Sequence, residues 1–289
     1  MRDALTLDEP IKSLGLRPPA MACLAVLFLY AYRPVLAGLW AMGFSHDLLQ
    51  QAPFVLAIAI GFAVQRLRQG APPVSDPGSV APFMIALSLN VAGQLVDLAV
   101  LSQLSLPLAL AGMALALHGK ALLRRLRVPL LYLCLAIPLP GSLYLELVAP
   151  LKLLVSRLAA DLLVLGGVPV VRAGNILTVG TLRIGVTDAC AGLSSLMTVL
   201  ALAVAYTLLR LRTPLGRLLV IGCMPPLIVL ANVLRVAGLT VVAIHFGSNA
   251  AFGESHALWG LLVFAGSVSG LLLLTALVAR TERKRLFRS

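Results

Sequence analysis

Apolar runs of roughly 15 to 30 residues, separated by short stretches that hold most of the charge, recur along the whole chain. A helix that crosses a bilayer needs about 20 consecutive apolar residues. The pattern therefore predicts eight spanning helices, at about 20–41, 51–65, 81–101, 105–119, 128–146, 192–209, 217–246 and 257–279. The second, fourth and fifth of these are short or interrupted by proline. Between the fifth and sixth spans lies the longest region without a span, about 146–191. Its first part, Leu151 to Leu165, sets Lys152, Ser156, Arg157 and Asp161 among leucines and valines, as in an amphipathic helix lying in the membrane interface. Its second part, Val168 to Val186, mixes β-branched residues with Gly174, Gly180 and Gly185. That composition fits a short β-hairpin turning near Gly180-Thr181, or else an irregular loop. The expected fold is an all-α integral membrane protein of about eight transmembrane helices. It carries an outer-side amphipathic helix and a hairpin-like segment, and no repeat or linker divides residues 1–289 into separate domains.

Composition agrees, since 60% of the residues are hydrophobic and only 12% charged, against about 25% charged in ordinary soluble domains. A net charge of +12 raises the question of a nucleic-acid partner. The cations fall in short clusters between apolar runs and form no continuous groove for phosphates, so none is expected. Instead the clusters set orientation. Arg2, Lys12, Arg17, Arg66, Arg68, the group from Lys120 to Arg127, Arg210, Arg212, Arg217 and the group from Arg280 to Arg288 all map to one side. That side holds 17 of the 23 cations and five of the 11 acids, so it carries the whole charge of +12. By the positive-inside rule both termini are cytoplasmic, and the 146–191 region faces outward. The first 20 residues, with Asp3, Asp8, Glu9 and Pro10, lack the pattern of a cleavable signal peptide. The four cysteines give neither a disulfide framework nor paired metal-ligand spacing, and no metal or cofactor is expected.

Cys23, Cys134 and Cys223 sit inside apolar runs, where a thiol behaves as a small hydrophobe. Cys190 differs, because it follows the polar turn Val186-Thr187-Asp188 and opens the sixth apolar run. Such a position predicts the first turn of a helix, where free N–H groups and the helix dipole favour a thiolate. Gly192, two residues on, permits close approach of a substrate backbone. The seventh span places Arg235 18 residues beyond Arg217, about 27 Å along a helix and thus near the outer edge of the bilayer. A charge inside the Leu227–Val242 run is expensive in lipid unless it snorkels to the boundary or serves a function. Asn232, one turn earlier, is placed to orient Arg235. His256 precedes the eighth span on the same outer side, with His245 as a competitor for an imidazole role; His46 and His118 have nothing distinctive about them. Thiolate, imidazole and guanidinium together provide a nucleophile, a proton carrier and an oxyanion partner. Gln94 and Asp97, read as lying in the third span, fit a polar contact between helices or part of a substrate path.

Three motifs in order, Asp188-Ala189-Cys190-Ala191-Gly192-Leu193, Asn232-Val233-Leu234-Arg235-Val236 and His256-Ala257-Leu258-Trp259-Gly260, resemble the exosortase family of multi-spanning membrane transpeptidases. Ile137-Pro138-Leu139-Pro140 and Gly166-Gly167-Val168-Pro169-Val170 are similar to that family as well, so the catalytic part covers about 138–260. The resemblance implies an eight-span enzyme of the bacterial inner membrane with Cys190 as nucleophile, Arg235 as the oxyanion or substrate stabiliser and His256 as general acid and base. Asp188, Gly192 and Asn232 would support them. Its implied substrates are exported proteins ending in a Pro-Glu-Pro motif, a transmembrane helix and a basic tail. Each would be cut through a thioacyl intermediate and passed to an acceptor, often in strains with exopolysaccharide loci. Ala191 departs from the serine frequent at that place in the family and leaves the role of Cys190 intact. Two other readings stay open. Gly192-Leu193-Ser194-Ser195 fits the minimal motif of a rhomboid-like serine protease with Ser194 as nucleophile, and eight spans would also suit a non-enzymatic exporter or polysaccharide-assembly component.

Overall fold

The computed structural model describes residues 18–45, 51–69, 79–137, 140–187, 192–247 and 254–286. Among them are eight α-helices and one small sheet. The helices are α1 (Pro18–Ser45), α2 (Gln51–Arg68), α3 (Ala81–Leu95), α4 (Ala99–Leu133), α5 (Gly141–Leu165), α6 (Leu193–Arg210), α7 (Pro214–Phe246) and α8 (Glu254–Leu286). Among the described residues, four stretches are long and apolar enough to cross a membrane, Ala99–Ala136, Leu193–Arg210, Pro214–Phe246 and Leu258–Lys284, with shorter apolar stretches at Ala25–Ala41 and Ala81–Leu95. The chain forms two compact units, Met1–Leu139 and Pro140–Ser289.

In the first unit, α3 and α4 form a tight hairpin. The expected third span, 81–101, is cut short because α3 ends at Leu95 and the chain turns through Val96-Asp97-Leu98. Asp97 takes a left-handed φ of 53° and is exposed, a conformation that Asp tolerates better than most residues. It is thus a turn residue, and Gln94, expected to make a polar contact between helices, instead donates to Asn90 Oδ1 within α3 (3.1 Å). Two glycines let the hairpin close. A Cβ on Gly93 would lie 2.7 Å from Ser102 N, and one on Gly112 2.7 Å from Phe83 Cα. Buried polar groups then tie the backbones together: Asn90 Nδ2 donates to Ala31 O (2.8 Å), Ser102 Oγ to Asn90 O (3.2 Å), and the Tyr32 hydroxyl lies 3.0 Å from Ser105 Oγ.

The expected fourth span, 105–119, ends at a break within α4, and the basic stretch and the start of the expected fifth span follow beyond that break as a second helical segment. Lys, Arg and Leu are good helix formers, so 120–127 stays helical, and α4 is interrupted only where Gly119 adopts φ 66° and ψ −162°. A 3-10 turn, Cys134–Ala136, ends it. The rest of the expected fifth span belongs to α5, which begins at Gly141 and absorbs the predicted amphipathic helix 151–165.

In the second unit the predicted hairpin is a three-stranded antiparallel sheet, β1 (Val171–Ala173), β2 (Ile176–Val179) and β3 (Leu182–Gly185). Gly180 forms the expected turn with φ 57°, and Gly174, at φ 63°, makes the extra one. The unit is built around α7, which packs against α5, α6, α8 and β3. On one flank Val155, Ala159 and Leu163 of α5, Leu177 of β2 and Val186 meet Val233, Val236 and Ala237 of α7. On another, Val199 and Ala203 of α6 and Leu271 of α8 enclose Val220, Met224 and Ile228.

Candidate active site

The central helix α7 carries two polar side chains where its neighbours are apolar. Asn232 and Arg235 are three residues apart and so share a helix face; they are 0% and 7% exposed. Asn232 Nδ2 donates to Ile228 O one turn back (2.8 Å). Its Oδ1 is buried and accepts no hydrogen bond among the described residues. The amide therefore does not orient Arg235, as the i, i+3 spacing had suggested. It faces Gly192, on which a Cβ would lie 2.7 Å from Asn232 Cγ.

Gly192 is the N-cap of α6 and holds a left-handed φ of 85°. As a glycine, this N-cap residue offers no side-chain acceptor of its own to the first-turn N–H groups. Helix α6 begins at Leu193, three residues beyond Cys190. The first turn of α6 is formed by Leu193 to Leu196, after the left-handed Gly192; Cys190, expected in a helix's first turn, lies outside the described residues.

The other wall comes from α8. A Cβ on Gly260 would sit 3.2 Å from Arg235 Nη2 and 3.5 Å from its Cζ, while one on Gly238 would meet the Trp259 ring at 2.6 Å. Residues Arg235 and Gly238, again three apart, thus present a guanidinium and a glycine notch to Gly260 and Trp259. The guanidinium packs beneath α8, which distinguishes it from a side chain stretched toward the membrane boundary. One turn of α7 is in this way met from two directions, by the start of α6 at Gly192 and by α8 at Gly260.

Of the sequence-predicted residues, Gly192, Asn232 and Arg235 are brought together on this turn. Asp188 and Cys190 lie outside the described residues. His256 is the third residue of α8, whose described side chains begin at Leu258. His245 is exposed, and His118 belongs to the first unit; His46 lies outside the described residues. Gly238 and Trp259 went unnoticed as packing partners, although the i, i+3 relation of Gly238 to Arg235 was there to be read. No three His, Cys, Asp or Glu side chains among the described residues gather as metal ligands.

The model of the transmembrane exosortase family matches residues 40–274. The chain belongs to that family. Curated proteins and solved structures give no match. The exosortase match runs from the C-terminal part of α1 into α8, including all of α6 and α7 and α8 as far as residue 274. In chemical terms this exosortase holds a buried cation and, one helical turn away, an amide oxygen that accepts no hydrogen bond among the described residues. A buried guanidinium stabilises negative charge that develops on a bound carbonyl, whereas the Asn232 Oδ1 suits an N–H or O–H donor.

Proposed function

We propose that this exosortase-family protein is a membrane cysteine transpeptidase acting on exported proteins with a C-terminal sorting tail, a Pro-Glu-Pro motif followed by a transmembrane helix and a basic end. The observation that carries the reading is Arg235. A guanidinium only 7% exposed on an apolar helix is costly to hold in a membrane and marks a functional position. Two peptide units separate Cys190 from Gly192, so their Cα atoms are at most about 7 Å apart, and Gly192 rests on Asn232 one turn from Arg235. His256 and Gly260, four apart, share a face of α8, and Gly260 covers the guanidinium.

In the proposed reaction the Cys190 thiolate attacks the scissile carbonyl and forms a carbon–sulfur bond. Arg235 stabilises the oxyanion or holds the glutamate of the motif. His256 protonates the departing amine as the carbon–nitrogen bond breaks. An acceptor nucleophile then attacks the thioacyl carbonyl, giving its proton to His256 and releasing the Cys190 sulfur. The enzyme is proposed to lie in the bacterial inner membrane with cytoplasmic termini and this site on the outer face. Processing of a co-expressed tailed substrate tests the reading. Cys190→Ala and Cys190→Ser should abolish cleavage at normal membrane abundance, while Cys23→Ser, Cys134→Ser and Cys223→Ser should leave it intact. Equal loss in all four positions would remove Cys190 from its role.

A further inference from the structure

The ends of α6 and α8 and the start of α7 enclose a cavity of about 960 Å³, well away in sequence from Asn232 and Arg235. Five arginines line it, Arg210, Arg212, Arg217, Arg280 and Arg283, with a single carboxylate, Glu282. That carboxylate is already engaged. It accepts from Arg212 N (3.0 Å), from Thr213 N (3.3 Å) and from the Thr213 hydroxyl, capping the approach to α7. Arg217 is turned to the Leu211 carbonyl (3.1 and 2.8 Å), and Arg210 lies over the Tyr206 ring at 5.6 Å. No carboxylate among the described residues pairs with Arg212, Arg280 or Arg283. A second feature points to a ligand: Thr275, 1% exposed, lines the same cavity with a hydroxyl that has no hydrogen-bond partner among the described residues.

A cluster of guanidinium groups with an unused buried hydroxyl suits a phosphate ester, whose oxygens accept bidentate bonds from arginine. The surroundings choose between a dissolved phosphate and a lipid. Leu209, Leu273 and Leu277, on the same two helices, are 57%, 61% and 46% exposed, and α6, α7 and α8 are of membrane-crossing length and apolarity. A headgroup seated among the arginines would leave its acyl chains beside those leucines. We infer that this cavity is a binding site for the phosphate headgroup of an anionic phospholipid, separate from the exosortase chemistry.

The test uses the full chain in a neutral detergent, with phosphatidylglycerol, phosphatidylcholine and inorganic phosphate added in turn. Retained lipid is counted by native mass spectrometry and the thermal midpoint is followed in parallel. Phosphatidylglycerol should be retained at least about tenfold better than phosphatidylcholine and raise the midpoint, whereas millimolar inorganic phosphate should do neither. Each arginine removed near such a headgroup should weaken retention about fivefold, so R280Q/R283Q should lose most of the selectivity. R66Q/R68Q, which removes two cations from the other unit, should keep it. Both pairs replace exposed residues, and an unchanged midpoint without lipid checks their folding; single variants R212Q and R280Q serve if the double variant accumulates poorly. Equal retention of both lipids, or selectivity that survives R280Q/R283Q, overturns the inference. Stabilisation by inorganic phosphate to the same extent assigns the cavity to a soluble anion and overturns the lipid.

Discussion

Replacing Gly192 by alanine perturbs the site through two separable effects. First, a φ of 85° costs an L-residue about 1–2 kcal/mol. Second, the new Cβ would lie 2.7 Å from Asn232 Cγ, and Asn232 cannot retreat freely, because it is 0% exposed and donates at 2.8 Å to Ile228 O. If the amide moves enough to lose that bond, the buried group adds about 1–3 kcal/mol. The total is about 2–5 kcal/mol, of which only the second part depends on Asn232. Thermal or denaturant unfolding in detergent of Gly192→Ala, Asn232→Ala and the double variant forms a cycle that isolates it. The double variant should be more stable than the sum of the single effects by about 1–3 kcal/mol, with the φ cost remaining. Substrate processing at matched abundance should fall by about 100-fold in Gly192→Ala, as expected when a reacting group shifts by about an ångström. Strict additivity, or Gly192→Ala within about 0.5 kcal/mol of the parent, would refute the packing of Gly192 on Asn232 as the feature that fixes this turn.

Arg235→Lys keeps the charge but loses the planar fork, so processing at matched abundance should drop by about 100- to 1,000-fold; near-normal cleavage would remove Arg235 from the proposed catalytic set. In the first unit, Gly112→Leu must push Phe83 away from the α3–α4 contact and should destabilise by about 2 kcal/mol or more, seen as a lower unfolding midpoint; an unchanged midpoint would contradict the close approach there. For orientation, a cysteine placed in the 247–255 segment of a Cys134→Ser background should react with an impermeant thiol reagent from outside, and one placed after Arg283 should not. The reverse labelling would put the site on the cytoplasmic side.

Some of this organisation could be read from residues alone. The Gly180 turn was legible because a glycine between two β-branched runs has few alternatives, and the seventh span was legible because its apolar pattern continues for a whole helix. What escaped was the placing of boundaries by context. Asp97 looked like an intramembrane acid, yet its tolerance of left-handed backbone ends α3 just before it. Lys120 to Arg127 read as a basic cluster between two spans, while their helix propensity makes the stretch beyond the Gly119 break helical again. Asn90, Ser102 and Ser105 vanished into apolar runs, since small polar residues scarcely alter a run's mean hydropathy, although they join buried backbones. Near the site, the spacing of Asn232 and Arg235 gave the shared face correctly but not what Asn232 touches; only the fold brings Gly192, 40 residues earlier, against it.

The central claim is that Cys190 carries the substrate as a thioester. The direct measurement is to co-express the chain with a tailed substrate, isolate membranes rapidly and seek a hydroxylamine-sensitive covalent adduct by mass spectrometry. The adduct should map to Cys190 and persist in Ser194→Ala. In Cys190→Ala both adduct and processing should disappear. Processing that continues in Cys190→Ala and stops in Ser194→Ala, with both proteins at equal membrane abundance, would contradict the account and give the role of nucleophile to the serine.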